Sequence, residues 1–129
     1  MFTRKFFSLK ELGDVFSLID IYIQPNLDKQ CASSGTLSFA LGAGKPIIAF
    51  EFVHALEALA DGRGIIIPSR NNDALVEAML DLAAKPELRR QLAAKALTYG
   101  EETFWPKIGK KYYELFTSVV EKKLSKIAS

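Results

Sequence analysis

The sequence predicts an α/β chain, a three-stranded parallel sheet flanked by helices and followed by a long helical C-terminus. Three observations carry that expectation. Short apolar runs at 20–25, 45–50 and 65–68 each border a proline, as fully buried strands commonly do. Segments of helical period lie between them, so the connections read as βαβ crossovers of right-handed sense and the strands as parallel. Beyond residue 71 the apolar residues fall at helical spacing. Strands apolar on both sides need helices over both faces, a doubly wound layering.

Each element has its own local reason. Ser8 is placed to cap a helix over 9–18, with Glu11 at the third helical position as in a capping box. A strand at 20–25 is stopped by Pro25, and residues 26–32 form a polar loop. Serines open a second helix that runs to Leu41 and closes on Gly42 or Gly44. The second strand, 45–50, leads into a helix over 52–60, a turn at 61–64 and the third strand at 65–68. Asn71 or Asn72 caps a helix with Leu75, Met79 and Leu82 on one face, broken at Lys85 and Pro86. A further helix carrying Leu88, Leu92 and Leu97 runs to Gly100. Trp105 and Pro106 open the last helix, in which Ile108, Tyr112, Leu115, Phe116 and Val119 share a face. Proline fixes the entry angle there, and Trp105 is expected to be buried as a staple against the sheet layer.

A chain of 129 residues with 49% hydrophobic content fits one domain, 1–129, with a real core. Seventeen basic and 15 acidic residues give a net charge of +2 and are largely interspersed, which excludes a nucleic-acid footprint. Lys122, Lys123 and Lys126 read as a solvated helix end favoured by the dipole, with weak membrane-surface contact as the alternative; no strong membrane binding is expected. A single cysteine, Cys31, rules out an internal disulfide, and a single histidine, His54, argues against a His-based metal site. No metal and no cofactor are expected. The apolar runs are too short to span a bilayer, and the first residues lack a signal-peptide core, so a cytoplasmic location is the expectation.

One turn stands out chemically. Ser33, Ser34, Gly35 and Thr36 immediately precede an apolar helix. Serine caps, a glycine that admits close approach and the positive end of a helix dipole together suit a phosphate. The other reading of the same residues is a capped core helix.

Four stretches, taken in order, resemble the C-terminal half of a GT-B glycosyltransferase of the family-four, group-1 type. They are Asp20-Ile-Tyr-Ile-Gln-Pro25, the segment from Ser34 to Ile48 with Gly42-Ala-Gly-Lys-Pro46, the run Glu57-Ala-Leu-Ala-Asp-Gly-Arg-Gly-Ile-Ile-Ile-Pro68, and the helical Asp73-Ala-Leu-Val-Glu-Ala with Pro86-Glu-Leu-Arg-Arg90. The resemblance implies half of a Rossmann-like domain. It also implies that Ser33 to Thr36 hold the diphosphate of a nucleotide-sugar donor without metal, and that Glu57 lies near the donor. His54, one turn before Glu57, is a further candidate contact to phosphate or sugar, with a packing role as its alternative.

The departures are specific. The resembled family carries two glutamates with seven residues between them, and those places are held by Cys31 and Phe39. Phe39 reads as a core residue and Cys31 as a small buried hydrophobe. Asp28 is either a substitute carboxylate or a solvated loop residue. The family's N-terminal domain and the first strands of its donor domain have no counterpart here. A chain inactive alone is therefore expected, with a nucleotide-sugar or diphosphate as ligand and either that N-terminal domain or a second copy as partner. The alternative is a non-catalytic interaction module of the same ancestry. The edge of strand 20–24 is expected to be unpaired, and Ile108, Tyr112, Leu115 and Phe116 to cover the sheet or a neighbour.

Overall fold

Ser8 caps the first helix as the sequence predicts. Its hydroxyl accepts from the Glu11 N–H and its own N–H donates to the Glu11 carboxylate, closing a capping box on α1 (Leu9–Leu18). The computed structural model describes residues 6–128. After α1 come β1 (Tyr22–Gln24), α2 (Gly35–Gly42), β2 (Ile47–Phe50), α3 (Val53–Ala58), a 3₁₀ turn (Ala60–Gly62), β3 (Ile65–Ile67), α4 (Asn72–Ala84), α5 (Pro86–Glu102) and α6 (Trp105–Ala128).

The sheet has the order β1-β2-β3 and is parallel throughout, with Tyr22 opposite Ile47 and Ile48 opposite Ile65. Its central strand is buried along its whole length, Ile47 and Ile48 to 0% exposure. Side chains alternate across the pleat, so β2 feeds two cores. Ile47 and Ala49 join Phe16, Leu37, Leu41 and Phe52 on one face, while Ile48 and Phe50 join Ile67, Ala78 and Leu82 on the other. Helices thus cover both faces, and α5 reaches both cores through Leu92 and Ala96. Together this is an α/β, Rossmann-like three-stranded parallel sheet with a long C-terminal helix. Among the described residues, β1 pairs with β2 alone, leaving its outer edge open. No described helix is long and apolar enough to cross a membrane.

Several boundaries shift for local reasons. α2 ends at Gly42 because Gly44 takes a φ of +59°, a left-handed turn, and the Lys45 N–H closes back on the Ala40 carbonyl at 3.0 Å. The expected helix over 52–60 splits, since Asp61 adopts φ 57° inside the following 3₁₀ turn. α5 continues past Gly100 to Glu102, and Gly100 serves as a contact surface instead of a stop.

Two burial expectations are corrected, and a third is narrowed. Trp105 is 85% exposed and is not a buried staple against the sheet layer. Phe104 takes the contact instead, its ring edge 3.2 Å from the point where a Gly42 Cβ would lie. Phe39 is 45% exposed, because α2 turns Leu37, Ala40 and Leu41 inward and leaves Phe39 off that face, against Phe16 at 6.5 Å between ring centroids. On α6, Tyr112, Leu115 and Phe116 are all more than half exposed and do not cover the sheet, which leaves a neighbour as the expected covering.

Candidate anion-binding site

The start of α2 lies at the carboxyl ends of β1 and β2, the end of a parallel sheet at which ligands of open α/β folds collect. Ser34 is the N-cap, with extended φ and ψ, and its hydroxyl accepts from the Leu37 N–H at 3.3 Å. A second donor reaches the same oxygen: Gln24 Nε2, from the last residue of β1, at 2.7 Å. Gln24 Oε1 in turn accepts from the Tyr22 hydroxyl at 3.2 Å. Burial, the larger effect, pushes the Tyr22 hydroxyl above its ordinary pKa, and the Thr36 hydroxyl beside it pulls the other way.

α3 supplies the third wall. The Ser34 N–H donates to His54 Nδ1 at 2.8 Å, so the imidazole is the acceptor at that nitrogen. The His54 and Val53 N–H groups donate to the carbonyls of Cys31 and Lys29, tying the α3 start to the loop before α2. The Lys29–Glu51 ion pair reinforces that tie, and the lysine holds the Glu51 carboxyl below its ordinary pKa. Asp28 makes its own turn, its carboxylate accepting from the Gln30 N–H at 3.0 Å.

Ser34, Thr36 and His54 are therefore brought together; Ser34 Oγ and Thr36 Oγ1 lie 3.4 Å apart. Gly35 is exposed, and no atom lies within 4 Å of where its Cβ would be. Gly35 and Thr36 are the first two residues of α2, and their N–H groups have no carbonyl one turn back to bond. Ser33 is exposed and contributes its carbonyl to Cys31 Sγ at 3.2 Å. Glu57 is exposed one turn beyond His54, and its backbone carbonyl accepts from Arg63. Arg63 also bonds the Ala58 carbonyl and Asp61 and lies 4.4 Å above the Tyr99 ring, a turn-locking role.

Two features escaped the sequence reading. Gln24 was legible only as a strand end, and its reach across ten residues to Ser34 depends on the fold. A largely apolar groove of about 740 Å³ runs between α1, α2 and the α5–α6 junction, lined by Leu9, Phe16, Phe39, Phe104 and Trp105, and reaches Gly35.

No protein-family model matches the sequence, and no curated protein matches it closely. The fold does match a solved one. A sucrose-phosphate synthase from Thermosynechococcus elongatus superposes with a TM-score of 0.69 at 20% identity, over 84% of this chain. The match spans 28% of that chain. The likeness supports a GT-B glycosyltransferase fold for this arrangement of strands and helices.

Proposed function

We propose that this chain is the donor-side part of a glycosyltransferase, holding the diphosphate of a nucleotide-sugar at the start of α2. The observation that carries the reading is that Gly35 and Thr36, the first two residues of α2, are exposed at the carboxyl ends of parallel strands in a GT-B-type fold, with nothing within 4 Å of the Gly35 Cβ position. Ser33, Ser34 and Thr36 supply hydroxyls, the helix start supplies partial positive charge, and no metal is needed to balance the anion. His54 fixes the Ser34 backbone and offers its other ring nitrogen to phosphate or sugar; Glu57 faces the donor. In transfer, the same donors stabilise the departing diphosphate.

The chain alone transfers no sugar, because a reacting acceptor must be positioned and deprotonated by groups that the resembled family carries on its N-terminal domain. Its partner is that domain or a second copy, and its place of action is the cytoplasm.

Calorimetric titration of the full chain with pyrophosphate and with nucleotide diphosphate-sugars at low salt tests the site. Weak binding that falls as salt rises is expected. Gly35→Pro removes one N–H at the first helical position, where proline is tolerated, and should abolish it. No binding of any diphosphate would instead favour the interaction module, to which the replacement of both family glutamates by Cys31 and Phe39 lends support.

A further inference from the structure

Ser34 has almost every polar atom engaged within the chain. Its N–H donates to His54 Nδ1 at 2.8 Å, and its carbonyl accepts from the Ser38 N–H at 3.1 Å and the Ser38 hydroxyl at 3.2 Å. Its hydroxyl oxygen accepts twice, from the Leu37 N–H at 3.3 Å and from Gln24 Nε2 at 2.7 Å. A hydroxyl has two lone pairs and one proton, so both acceptor places are filled and only the proton is left to bond. Among the described residues that proton meets Thr36 Oγ1 alone, at 3.4 Å, which is long for an O–H···O bond.

The donors behind this arrangement run in one direction. Burial raises the Tyr22 pKa, and the Thr36 hydroxyl lowers it in part, as a donor to the phenol oxygen does. With its oxygen receiving from Thr36, the phenol gives its own proton to Gln24 Oε1 at 3.2 Å. The NH2 end of Gln24 is thereby left to face Ser34, and it is the end found there. The opposite amide orientation would set Oε1 against Ser34 Oγ, and the serine proton would turn inward to it. Tyr22 and Gln24 lie on β1, and Ser34 and Thr36 at the head of α2, so strand and helix together select the polarity of one hydroxyl. Hydrogen bonds chained in this way also polarise one another.

We propose that Gln24 is a positioning residue for the anion site: by filling the second lone pair of Ser34 Oγ it fixes that hydroxyl as a donor, with its proton presented to the ligand. This role rests on the reading of the α2 start as a diphosphate site. Beside the N–H groups of Gly35 and Thr36, Ser34 then offers a hydrogen and no lone pair. Such a set fits a ligand oxygen that only accepts, as those of an ionised diphosphate do, and disfavours a ligand group that has to donate there. A side chain that merely fastens β1 to α2 is the competing account of Gln24, and it carries no dependence on the Ser34 hydroxyl.

Calorimetric titration with pyrophosphate at low salt and constant neutral pH compares the full parent chain with Gln24→Met, Ser34→Gly and the double variant, each checked by circular dichroism. Methionine is close to glutamine in length and has no donor, and glycine is a tolerated helix cap. Each single change should weaken binding about fivefold, as loss of one hydrogen bond to a charged group does. The double variant should bind no worse than Ser34→Gly, because Gln24 acts through that hydroxyl. Tyr22→Phe frees the amide to turn and should weaken binding about two- to threefold, again only while Ser34 is present, and it decides the matter if Gln24→Met does not fold. Binding by Gln24→Met equal to the parent's, or a Gln24→Met loss that is as large in the Ser34→Gly chain, overturns the role and leaves the diphosphate site standing. A parent chain that binds neither pyrophosphate nor a nucleotide diphosphate-sugar removes the site itself, and the role of Gln24 with it.

Discussion

Gly100 and Gly42 meet backbone to backbone: a Cβ on Gly100 would stand 2.7 Å from the Gly42 nitrogen and 2.7 Å from the Leu41 carbonyl carbon. This contact lets α5 lie against α2, and so fixes the helix whose first turn forms the candidate site. No flexible side chain can yield there, because both obstacles are main chain. Gly100→Ala is expected to cost at least about 2 kcal/mol, as overpacked helix contacts do. Gly13 in α1 is its control, with nothing within 4 Å of its Cβ position, and Gly13→Ala should gain about 0.5–1 kcal/mol. Urea unfolding followed by circular dichroism measures both, and equal midpoints for the two variants would refute the close contact.

Trp105→Ala should change the unfolding free energy of the isolated chain by less than about 0.5 kcal/mol, because an 85% exposed ring has little packing to lose. A loss near the 3–5 kcal/mol typical of a buried tryptophan would mean that the ring is covered in solution, within the chain or by a second copy.

Tyr22 gives a pH dependence with a definite sign. Its folded pKa lies above its ordinary value of 10.0, chiefly through burial. The folded chain therefore holds its proton where the unfolded chain has lost it. The resulting stabilisation is present below pH 10 and drains away as pH rises through the folded value. Denaturation at pH 8 and pH 11 should show a smaller loss for Tyr22→Phe than for the parent; an identical loss would place the hydroxyl in water.

The open edge of β1 is expected to make the chain self-associate at micromolar concentration, most simply as a two-fold dimer of paired edges. The Tyr22 N–H points inward to the Pro46 carbonyl, so by strand alternation the Ile23 N–H points outward. Ile23→Pro removes that outward donor and leaves the inner ladder in place, which edge strands tolerate. Light scattering should show a species above 14.3 kDa that this variant reduces to the monomer; a monomeric parent would show that the edge needs no partner.

Much of this fold was legible because local chemistry and tertiary packing agree. Ser8 with Glu11, the prolines beside the strands and the all-apolar run Ile47-Ile-Ala-Phe50 each have one low-energy solution. The start of α2 was legible too, since Ser34 caps it in the sequence as in the structure. What the sequence could not display is the direction in which a helix faces when its apolar residues surround it. α2 is apolar nearly all round, so periodicity could not tell that Phe39 looks outward while Leu37 and Leu41 look inward. The same limit applies to Trp105, whose burial depends on where α6 goes once Phe104 has taken the contact on Gly42. Ser34 with His54 and Gln24 is a long-range set, joined across 20 and 10 residues, and no local pattern encodes it.

Gln24 belongs to two systems at once. Its backbone is the last rung of the strand with the open edge, and its side chain holds the oxygen that caps α2. A polypeptide that adds a strand beside β1 would quiet the motion of that backbone, and a ligand that orders the α2 start would restrain the same amide from the other end. Each event reduces the entropy left for the other to remove, so the two are linked with a single coupling free energy that works equally in both directions. An edge that looks like an unfinished sheet is, through one glutamine, also a handle on the loop where an anion would sit.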